Sequence, residues 1–599
     1  MASMMKISTL FISLTVISFF CLIGEVVSQE KTEPPKPQQR SGLDIIPSDA
    51  SWAIYSPRIG TLGSKLRALS KAAFPNSIDL VSGQIQRFYR EAGFDIRRPE
   101  VRKLLDRQRA GAHFYLSGSP FYVLPIVDAD RTAEYFGIAP ERFKKGSVLK
   151  INLRNFAKLM NGFVYLGSKN ETDEQRGNKS DHFTPFSDRL SKVHQQRYAN
   201  SDAVLIFDDH TAEKVLGTVS LFLDPSLGKP SDKNEDSDGF VKRMWSASST
   251  FDFAAAGLEF DDGLGAQLTA YFDDENDKQL QELIKLVRGG EASSNLDCLP
   301  DQPFVAALAA KGTGNQNAAA AKSILKLLVN RISPDEEILS QKDKTVFYDS
   351  FTDIWKRLNG TRMGVYRITR PESKDSDTKD SDSTKAIPEA NDQGELASVV
   401  IFDIEDPKGL LAQLPELVKF ANESAERNSV KEDLLPIRFS YQSSVSTIGG
   451  HPVDVLLIDT DRISEEMRKR FQTLFGKEAK QIKLIPLKDH LLMLVGTDTA
   501  LVMETIDNLA TGKKGLAANK LITKSSERLD SRKKIEIHFS FENLREIYGF
   551  KTKLKPHVPV KEASCVGFTI DPDRIGVDAW VPAKELNPAI DWLMLLLWR

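Results

Sequence analysis

Leu43-Asp44-Ile45-Ile46-Pro47 and Leu296-Asp297-Cys298-Leu299-Pro300 are two versions of one phrase. Each leads into an apolar run with strand character, Trp52-Ala53-Ile54-Tyr55 after the first and Phe304-Val305-Ala306-Ala307 after the second. The distance between them is the size of one large domain, so the chain reads as two tandem units.

Two further landmarks recur in the same order. Asp202-Ala203-Val204-Leu205-Ile206-Phe207, followed by Thr211-Ala212, is set against Asp489-His490-Leu491-Leu492-Met493-Leu494, followed by Thr499-Ala500. A hairpin from Gly257 through Asp262-Gly263 to Phe272 is set against one from Gly567 through Pro572-Asp573 to Val581, each with alternation of period two around turn residues. The spacing between counterparts only grows along the chain, as insertions in the second unit require. One insertion is legible: residues 372–395 are a Ser/Asp/Lys tract without aromatics, disordered by composition. The expected organisation is a signal peptide at 1–28, a tether at 29–42, a first unit at 43–292 and a second at 293–599.

Within each unit the pattern is α+β. Phe121-Tyr122-Val123-Leu124-Pro125-Ile126-Val127 and Ser398-Val399-Val400-Ile401-Phe402 each run into an Asp-rich turn, with Asp130 or Asp406 placed as a helix N-cap. Leu62, Leu66, Leu69 and Ala73 have helical spacing, as do Leu410, Leu411, Leu414 and Leu417. The fold class expected is two tandem divergent copies of an antiparallel sheet covered by helices. Trp592 to Trp598 is apolar but too short to span a bilayer, and reads as the helix closing the last core.

Lys6, an apolar run from Leu10 to Gly24 and the small-residue exit Val26-Val27-Ser28 form a secretory signal, with cleavage after Ser28. Ser13, Thr15 and Ser18 interrupt the run, which falls short of the ~20 apolar residues of a membrane span. No transmembrane segment is expected after cleavage. Residues 30–40, charged and holding Pro34, Pro35 and Pro37, read as the tether. The expected location is secreted or periplasmic. Asn170, Asn178, Asn359 and Asn422 head Asn-x-Ser/Thr sequences, which matter only in a eukaryotic secretory pathway.

A net charge of −3 argues against a dedicated nucleic-acid binder. After signal removal only Cys298 and Cys565 remain. Two cysteines make neither a disulfide scaffold nor, alone, a metal site; they either pair in an oxidising compartment or serve as small buried hydrophobes.

The opening Leu-Asp-Ile-Ile-Pro-Ser-Asp at 43–49 before an apolar strand, with the later strand–Thr-Ala–helix element, resembles an uncharacterised family of secreted bacterial proteins carrying a domain of unknown function. The resemblance implies an extracytoplasmic α+β repeat and supplies no catalytic residue. The second opening departs from it, with Gln302 where Asp49 stands.

Motifs for chemistry are sparse. Gly312-Thr313-Gly314 before Ala318-Ala319-Ala320-Ala321-Lys322-Ser323 lacks the Gly that a phosphate loop needs before its Lys. His-Glu-x-x-His and Gly-x-Ser-x-Gly are both absent. His210 beside Asp208 and Asp209 is the nearest acid/base grouping, at a turn where polar residues cap helices anyway; His490 is the other histidine to test. Asn234, Asp236 and Asp238, with Gly239 at the sharp turn and Asp232 nearby, match the front of a calcium loop, but the twelfth position is Trp245 rather than an acid. From Arg87 to Arg109 eight Lys/Arg face four acids, with Arg87, Arg90, Arg97, Arg98, Arg102 and Lys103 as the candidate basic patch and Tyr89 and Phe94 interleaved. The alternative for that stretch is the polar face of two amphipathic helices.

The function expected is therefore an exported, non-catalytic binding or scaffolding protein of the cell envelope or extracellular space. Its partner would be a protein or an acidic envelope polymer, with no cofactor beyond a calcium ion at Asn234, Asp236 and Asp238. The rival is an extracytoplasmic hydrolase whose site assembles from distant segments.

Overall fold

The computed structural model describes residues 42–73, 80–116, 119–151, 155–168, 184–208, 251–272, 295–311, 356–368, 396–432, 438–459, 465–476, 480–496, 498–544, 562–571 and 574–597. The N-terminal half supplies β1 Trp52–Ser56, β2 Gly111–Leu116, β3 Ser119–Pro125, β4 Leu149–Lys150, β5 Asn155–Met160 and β6 Phe163–Ser168. It continues with β7 Ala203–Asp208, β8 Phe251–Glu259 and β9 Gly263–Phe272. The C-terminal half supplies β10 Phe304–Lys311, β11 Leu358–Arg367, β12 Leu396–Ile404, β13 Phe439–Ile448 and β14 His451–Ile458. Its remaining strands are β15 Gln481–Pro486, β16 His490–Val495, β17 Ile535–Phe539, β18 Ser564–Asp571 and β19 Arg574–Pro582.

These strands form one 19-stranded sheet. The expected pair of separate helix-covered sheets is therefore wrong. All pairings are antiparallel, and the N-terminal half runs β4-β5-β6-β3-β2-β1-β7-β8-β9 across the sheet. Beside β9 lies β19, and the C-terminal half continues β18-β17-β10-β11-β12-β16-β15-β14-β13. Both halves follow the same path outward from the β9–β19 seam. Pro47 and Pro300 lie just ahead of β1 and β10, and Gly257 and Gly567 lie in β8 and β18. The remaining landmark fails: Asp202–Phe207 falls on β7, Asp489–Leu494 on β16, and these hold different places in the order.

The reason two sheets become one is chemical as well as topological. An unpaired edge strand is a row of unsatisfied backbone groups, and β9 and β19 satisfy each other over nine residue pairs from Arg574↔Tyr271 to Pro582↔Gly263. At the middle of the seam Gln267 faces Asp578, and Arg197, from the helix Lys192–Asn200, donates to both, meeting the Asp578 carboxylate at 2.7 Å. The second Asp578 oxygen accepts from the Asp530 backbone N–H at 2.8 Å. Gly263 and Gly265 leave the space that the Trp580 ring fills, and the Arg528 guanidinium lies 4.1 Å over that ring while pairing with Asp262 at 3.0 Å.

One face of the sheet carries the two large cores. Ala53, Tyr55, Phe114, Val123, Val204, Ile206 and Ala255 lie under Leu43, Ile46, Phe186 and Tyr198 in the first half. Ala307, Tyr366, Val399, Ile401 and Leu494 lie under Leu299, Leu501, Val502, Leu516 and Ile522 in the second. Each strand therefore sends its alternate residues to the opposite face. That face is covered in separate patches. Phe94, Phe143 and Tyr89 cover β3, β5 and β6; Leu410 and Leu411 of the helix Pro407–Glu432 cover β12, β15 and β16. Leu62, Leu66 and Leu69 of Ile59–Ala73, with Ala583 and Leu586 of the final helix Ala583–Leu597, cover one end of β7–β9. That final helix thus spans the seam.

The outer edges are guarded. β4 has only two residues. β13 is bulged between Gln442 and Ser446, with Ser444 at φ +51° and its N–H donating to Asp454 at 2.8 Å. Asn422 binds both the N–H and the carbonyl of Phe439, at 2.8 and 2.6 Å, which closes the start of that edge. Its amide is thus committed to the backbone and is not presented as a glycan acceptor.

Two expected outcomes follow from the seam. Gly263→Ala sets a methyl 2.5 Å from the Val581 carbonyl and 2.7 Å from the Trp580 ring, so it should cost about 1–3 kcal/mol in urea unfolding. Arg197→Met leaves Asp578, 3% exposed, without its cation, and should cost about 3 kcal/mol or more at neutral pH. Burial raises the Asp578 carboxyl, with Arg197 opposing it. The group's protonated form is thus favoured in the fold, and keeping it ionised costs stability as pH rises. The penalty in Arg197→Met should accordingly shrink as pH falls toward about 4, the usual aspartate range.

Candidate functional site

Between the covered patches on the second face, β1 and β2 present aromatic residues to solvent. Alternation puts Trp52 and Ile54 of β1 opposite Tyr115 and His113 of β2, and Tyr122 of β3 opposite His113. Trp52 stacks on Tyr115 with ring centroids 4.9 Å apart and meets His113 edge-on at 5.1 Å. His113 lies flat on Tyr122 at 4.2 Å, and Phe88 of the helix Leu80–Glu91 closes that end against both rings. Phe88, His113 and Tyr122 thus form the anchored end, while Trp52 and Tyr115 are half-buried and Ile54 is 38% exposed. The Tyr122 hydroxyl donates to Glu91 at 3.4 Å, and Glu91 pairs with Arg87 at 2.8 Å. Burial pushes His113 down to about 4, Glu91 opposing, so the ring is neutral near pH 7. Burial, reinforced by Glu91, pushes the Tyr122 hydroxyl up to about 12.

The other half of the sheet holds the same positions with different chemistry. Following the pairings outward from Gly257 and Gly567, Trp52, His113, Tyr115 and Tyr122 correspond to Ala306, Met363, Val365 and Val400. A sheet that tolerates small and aliphatic residues there does not need four rings with polar tips. The aromatic set is a departure that the fold alone does not demand.

A second departure lies on the opposite face. Val204, Ile206 and Ala255 of the first core correspond to Glu536, His538 and Cys565. His538 is fully buried; its Nδ1 lies 2.8 Å from Ser525 Oγ and its Nε2 3.3 Å from Glu536. Ser526 donates to Glu536 at 3.2 Å, and Lys533 lies 3.6 Å from the same carboxylate. Serine, histidine and carboxylate therefore meet, as in nucleophilic catalysis. Yet Ser525 Oγ is within bonding distance of the Leu521 and Ile522 carbonyls of its own helix, and at 0% exposure His538 offers no surface to a substrate. Burial pushes the Cys565 thiol up to about 12, further raised by Glu536 and Asp578, which makes it a poor nucleophile. Cys298 and Cys565 are both buried and unpaired, in different core clusters, so no disulfide joins them.

His490 lies at a strand end, its Nδ1 2.9 Å from Asp403, which also pairs with Arg362. Burial alone would raise the Asp403 carboxyl, but the hydrogen bond from His490 and the Arg362 charge overcome it and hold the group low. Arg362 in turn donates to the Asp297 carbonyl at 3.0 Å. Asp403 is thus engaged as an ion-pair anchor. A shallow groove of about 350 Å³ lies elsewhere, lined by Pro415, Val418, Lys419, Asn422 and Tyr441.

Of the residues singled out in the sequence, Asp208 ends β7, whereas Asp209, His210, Asn234, Asp236 and Asp238 lie outside the described residues, as do 1–41 and 372–395. Among the described residues no group of three metal ligands occurs and no helix is long and apolar enough to cross a membrane. The basic residues form no single surface. Arg97 makes a two-pronged pair with Asp95 at 2.7 and 2.8 Å, chiefly by which the Asp95 carboxyl falls to about 2. Arg98 lies 3.9 Å from the same carboxylate and Arg102 donates to the Ile96 carbonyl. Arg87 pairs within its own helix, and Arg90 and Lys103 are exposed. The platform rings were not marked by sequence motif; the available signal was aromatics on both faces of one short strand, His113-Phe114-Tyr115.

His113→Phe tests the anchored end. A histidine whose folded pKa lies below the usual value of about 6.5 stabilises the fold less as pH falls through that window. The wild-type chain should therefore lose stability between about pH 6.5 and 4, and the phenylalanine variant should show a flatter pH profile in urea midpoints.

No family model matches the chain, and no curated protein does. Among solved structures, crystal forms III and IV of TP0453 align with 50% of this chain and with 98% and 97% of their own, at 8% and 10% identity and a TM-score of 0.21. A likeness of that size carries no argument about fold or activity.

Proposed function

We propose that this chain is an exported, non-catalytic binding or scaffolding protein of the cell envelope or extracellular space. The observation that supports it is the contrast between two places where the halves share a position in the sheet and differ in chemistry. The aromatic departure, Trp52 with Tyr115, reaches solvent, whereas the grouping of Ser525, His538 and Glu536 is sealed in the core. Half-exposed tryptophan and tyrosine on a rigid sheet supply large contact area at small conformational cost, the usual currency of recognition. Asp403 and Asp95 are each engaged in an ion pair, with Arg362 and Arg97.

The test has two arms on the mature chain beginning at Gln29. Immobilised protein should capture a component of its native envelope fraction, and the Trp52→Ala/Tyr115→Ala variant should not. Equal capture by both proteins contradicts the reading. In the second arm, glycosides, esters, peptides and phosphoesters should show no turnover. A turnover abolished by His538→Ile or His490→Leu would establish the hydrolase instead.

A further inference from the structure

We infer that the apolar end of the helix Ala583–Leu597 docks on a lipid surface, entering one leaflet without crossing it. The start of that helix is fastened at the seam. The Ala583 N–H donates to the Asp262 carbonyl at 3.1 Å. The Glu585 carboxylate, 7% exposed, accepts from Ser540 Oγ at 3.0 Å and from the Glu542 N–H at 3.2 Å. Ala583 and Leu586 join the cluster of Leu69, Ala203 and Phe260. Positions 583, 586 and 590 share one face of a helix. Ile590, the next residue on that face, is already 44% exposed, so the core's cover ends there while the helix runs on to Leu597.

Composition changes at the same point. Lys584, Glu585, Asn587 and Asp591 intersperse the fastened part, whereas Trp592-Leu593-Met594-Leu595-Leu596-Leu597 holds no polar residue but the indole N–H, and Trp598 follows in sequence. Successive helix positions are about 100° apart, so six in a row go all the way round the axis. No rotation of the helix gives this end a polar side. A second copy of the chain, laid against one stripe, would leave the opposite side in water, whereas a surrounding apolar medium covers every side. That difference selects lipid as the occupant.

Length fixes the depth. Residues 592–597 rise about 9 Å along the axis. That compares with the ~5–10 Å to which interfacial helices sink at the headgroup and acyl boundary, and it is far short of the ~30 Å hydrocarbon core. Trp592 stands where the run begins, directly after Asp591; an indole, with an apolar ring and one N–H, suits the headgroup level there. The sequence that follows β9 in the first half, Leu280 to Val287, keeps Gln281, Glu282 and Lys285 among its apolar residues. An unbroken apolar run is thus peculiar to the segment that follows β19.

Flotation of the mature full-length chain with phosphatidylcholine vesicles, and with phosphatidylcholine/phosphatidylglycerol vesicles, tests the inference. The chain should float with both, and added salt should change little because the contact is apolar. Leu593→Asp/Leu596→Asp should weaken partitioning about a hundredfold or more, the loss of two buried leucines. Its urea midpoint without lipid should match the wild type, since both positions lie beyond the fastened turns. Vesicles with brominated acyl chains supply a second readout that does not depend on that variant folding. They should quench the wild-type tryptophan fluorescence, and Trp592→Phe/Trp598→Phe should lose the quenching while still floating. No flotation by the wild type, flotation unchanged by the Asp pair, or quenching that survives the Phe pair would each overturn the inference. A wild-type chain that is dimeric without lipid, does not float, and becomes monomeric with the Asp pair would assign this helix end to a second copy instead. The capture experiment turns on Trp52 and Tyr115, so it stands or falls separately.

Discussion

At the centre of the seam between the two halves one arginine serves two partners that face each other across it. Gln267 and Asp578 are opposite one another in the β9–β19 ladder and hold the same place in their respective halves, each opposite its glycine, Gly257 or Gly567. Arg197 donates to both, and the Asp530 N–H completes the carboxylate. A carboxylate 3% exposed is tolerable only with such partners, since the desolvation cost of an unpaired buried charge exceeds what the surrounding apolar contacts return. The departure from equivalence at this pair, amide on one strand and carboxylate on the other, is what lets a single guanidinium satisfy both sides. Two acids there would crowd like charges, and two amides would leave Arg197 only its longer pair with Asp530 at 3.6 Å.

The seam also explains why the chain can afford so broad a sheet. Joining the halves edge to edge removes two strand edges, and the two that remain are short, or bulged and plugged by Asn422. Once the strand order is shared, the two halves become controls for each other. Where they agree in character, as at Ala53 and Ala307 or Val123 and Ile401, the fold sets the residue. Where they differ in chemistry, at the Trp52 platform and at the His538 cluster, something besides the fold does, or the core has found a second polar solution. Exposure separates those cases: the first opens to solvent and the second is closed.

Much of the local structure was legible. The hairpins after Gly257 and Gly567, the strands after Pro47 and Pro300 and the helices carrying Leu62 and Leu410 stand where turn residues and periodicity put them. The cap on the helix Ala129–Tyr135 is Asp128 rather than Asp130, a two-residue shift that matches the end of the strand at Pro125, two residues before its apolar run ends at Val127. What could not be read was the join. Arg197 and Asp578 are 381 residues apart, and neither type is unusual in its local context. The sequence shows that β9 and β19 are strands; it holds no mark that their edges meet. The matching of Asp202–Phe207 with Asp489–Leu494 failed for the same reason, since strand–helix composition repeats more readily than position in a sheet. The platform escaped notice because Trp52-Ala53-Ile54-Tyr55 reads as one apolar run, whereas the pleat sends Tyr55 into the core and Trp52 to the surface.

Amide hydrogen exchange across residues 263–272 and 574–582 measures the seam directly. In one continuous sheet these strands are interior, so their amides should be as strongly protected as those of β1 and β10, opening only with global unfolding. Exchange at β9 and β19 as fast as at the edge strand β13 would mean that each half ends at its own sheet edge, and would contradict the single-sheet account.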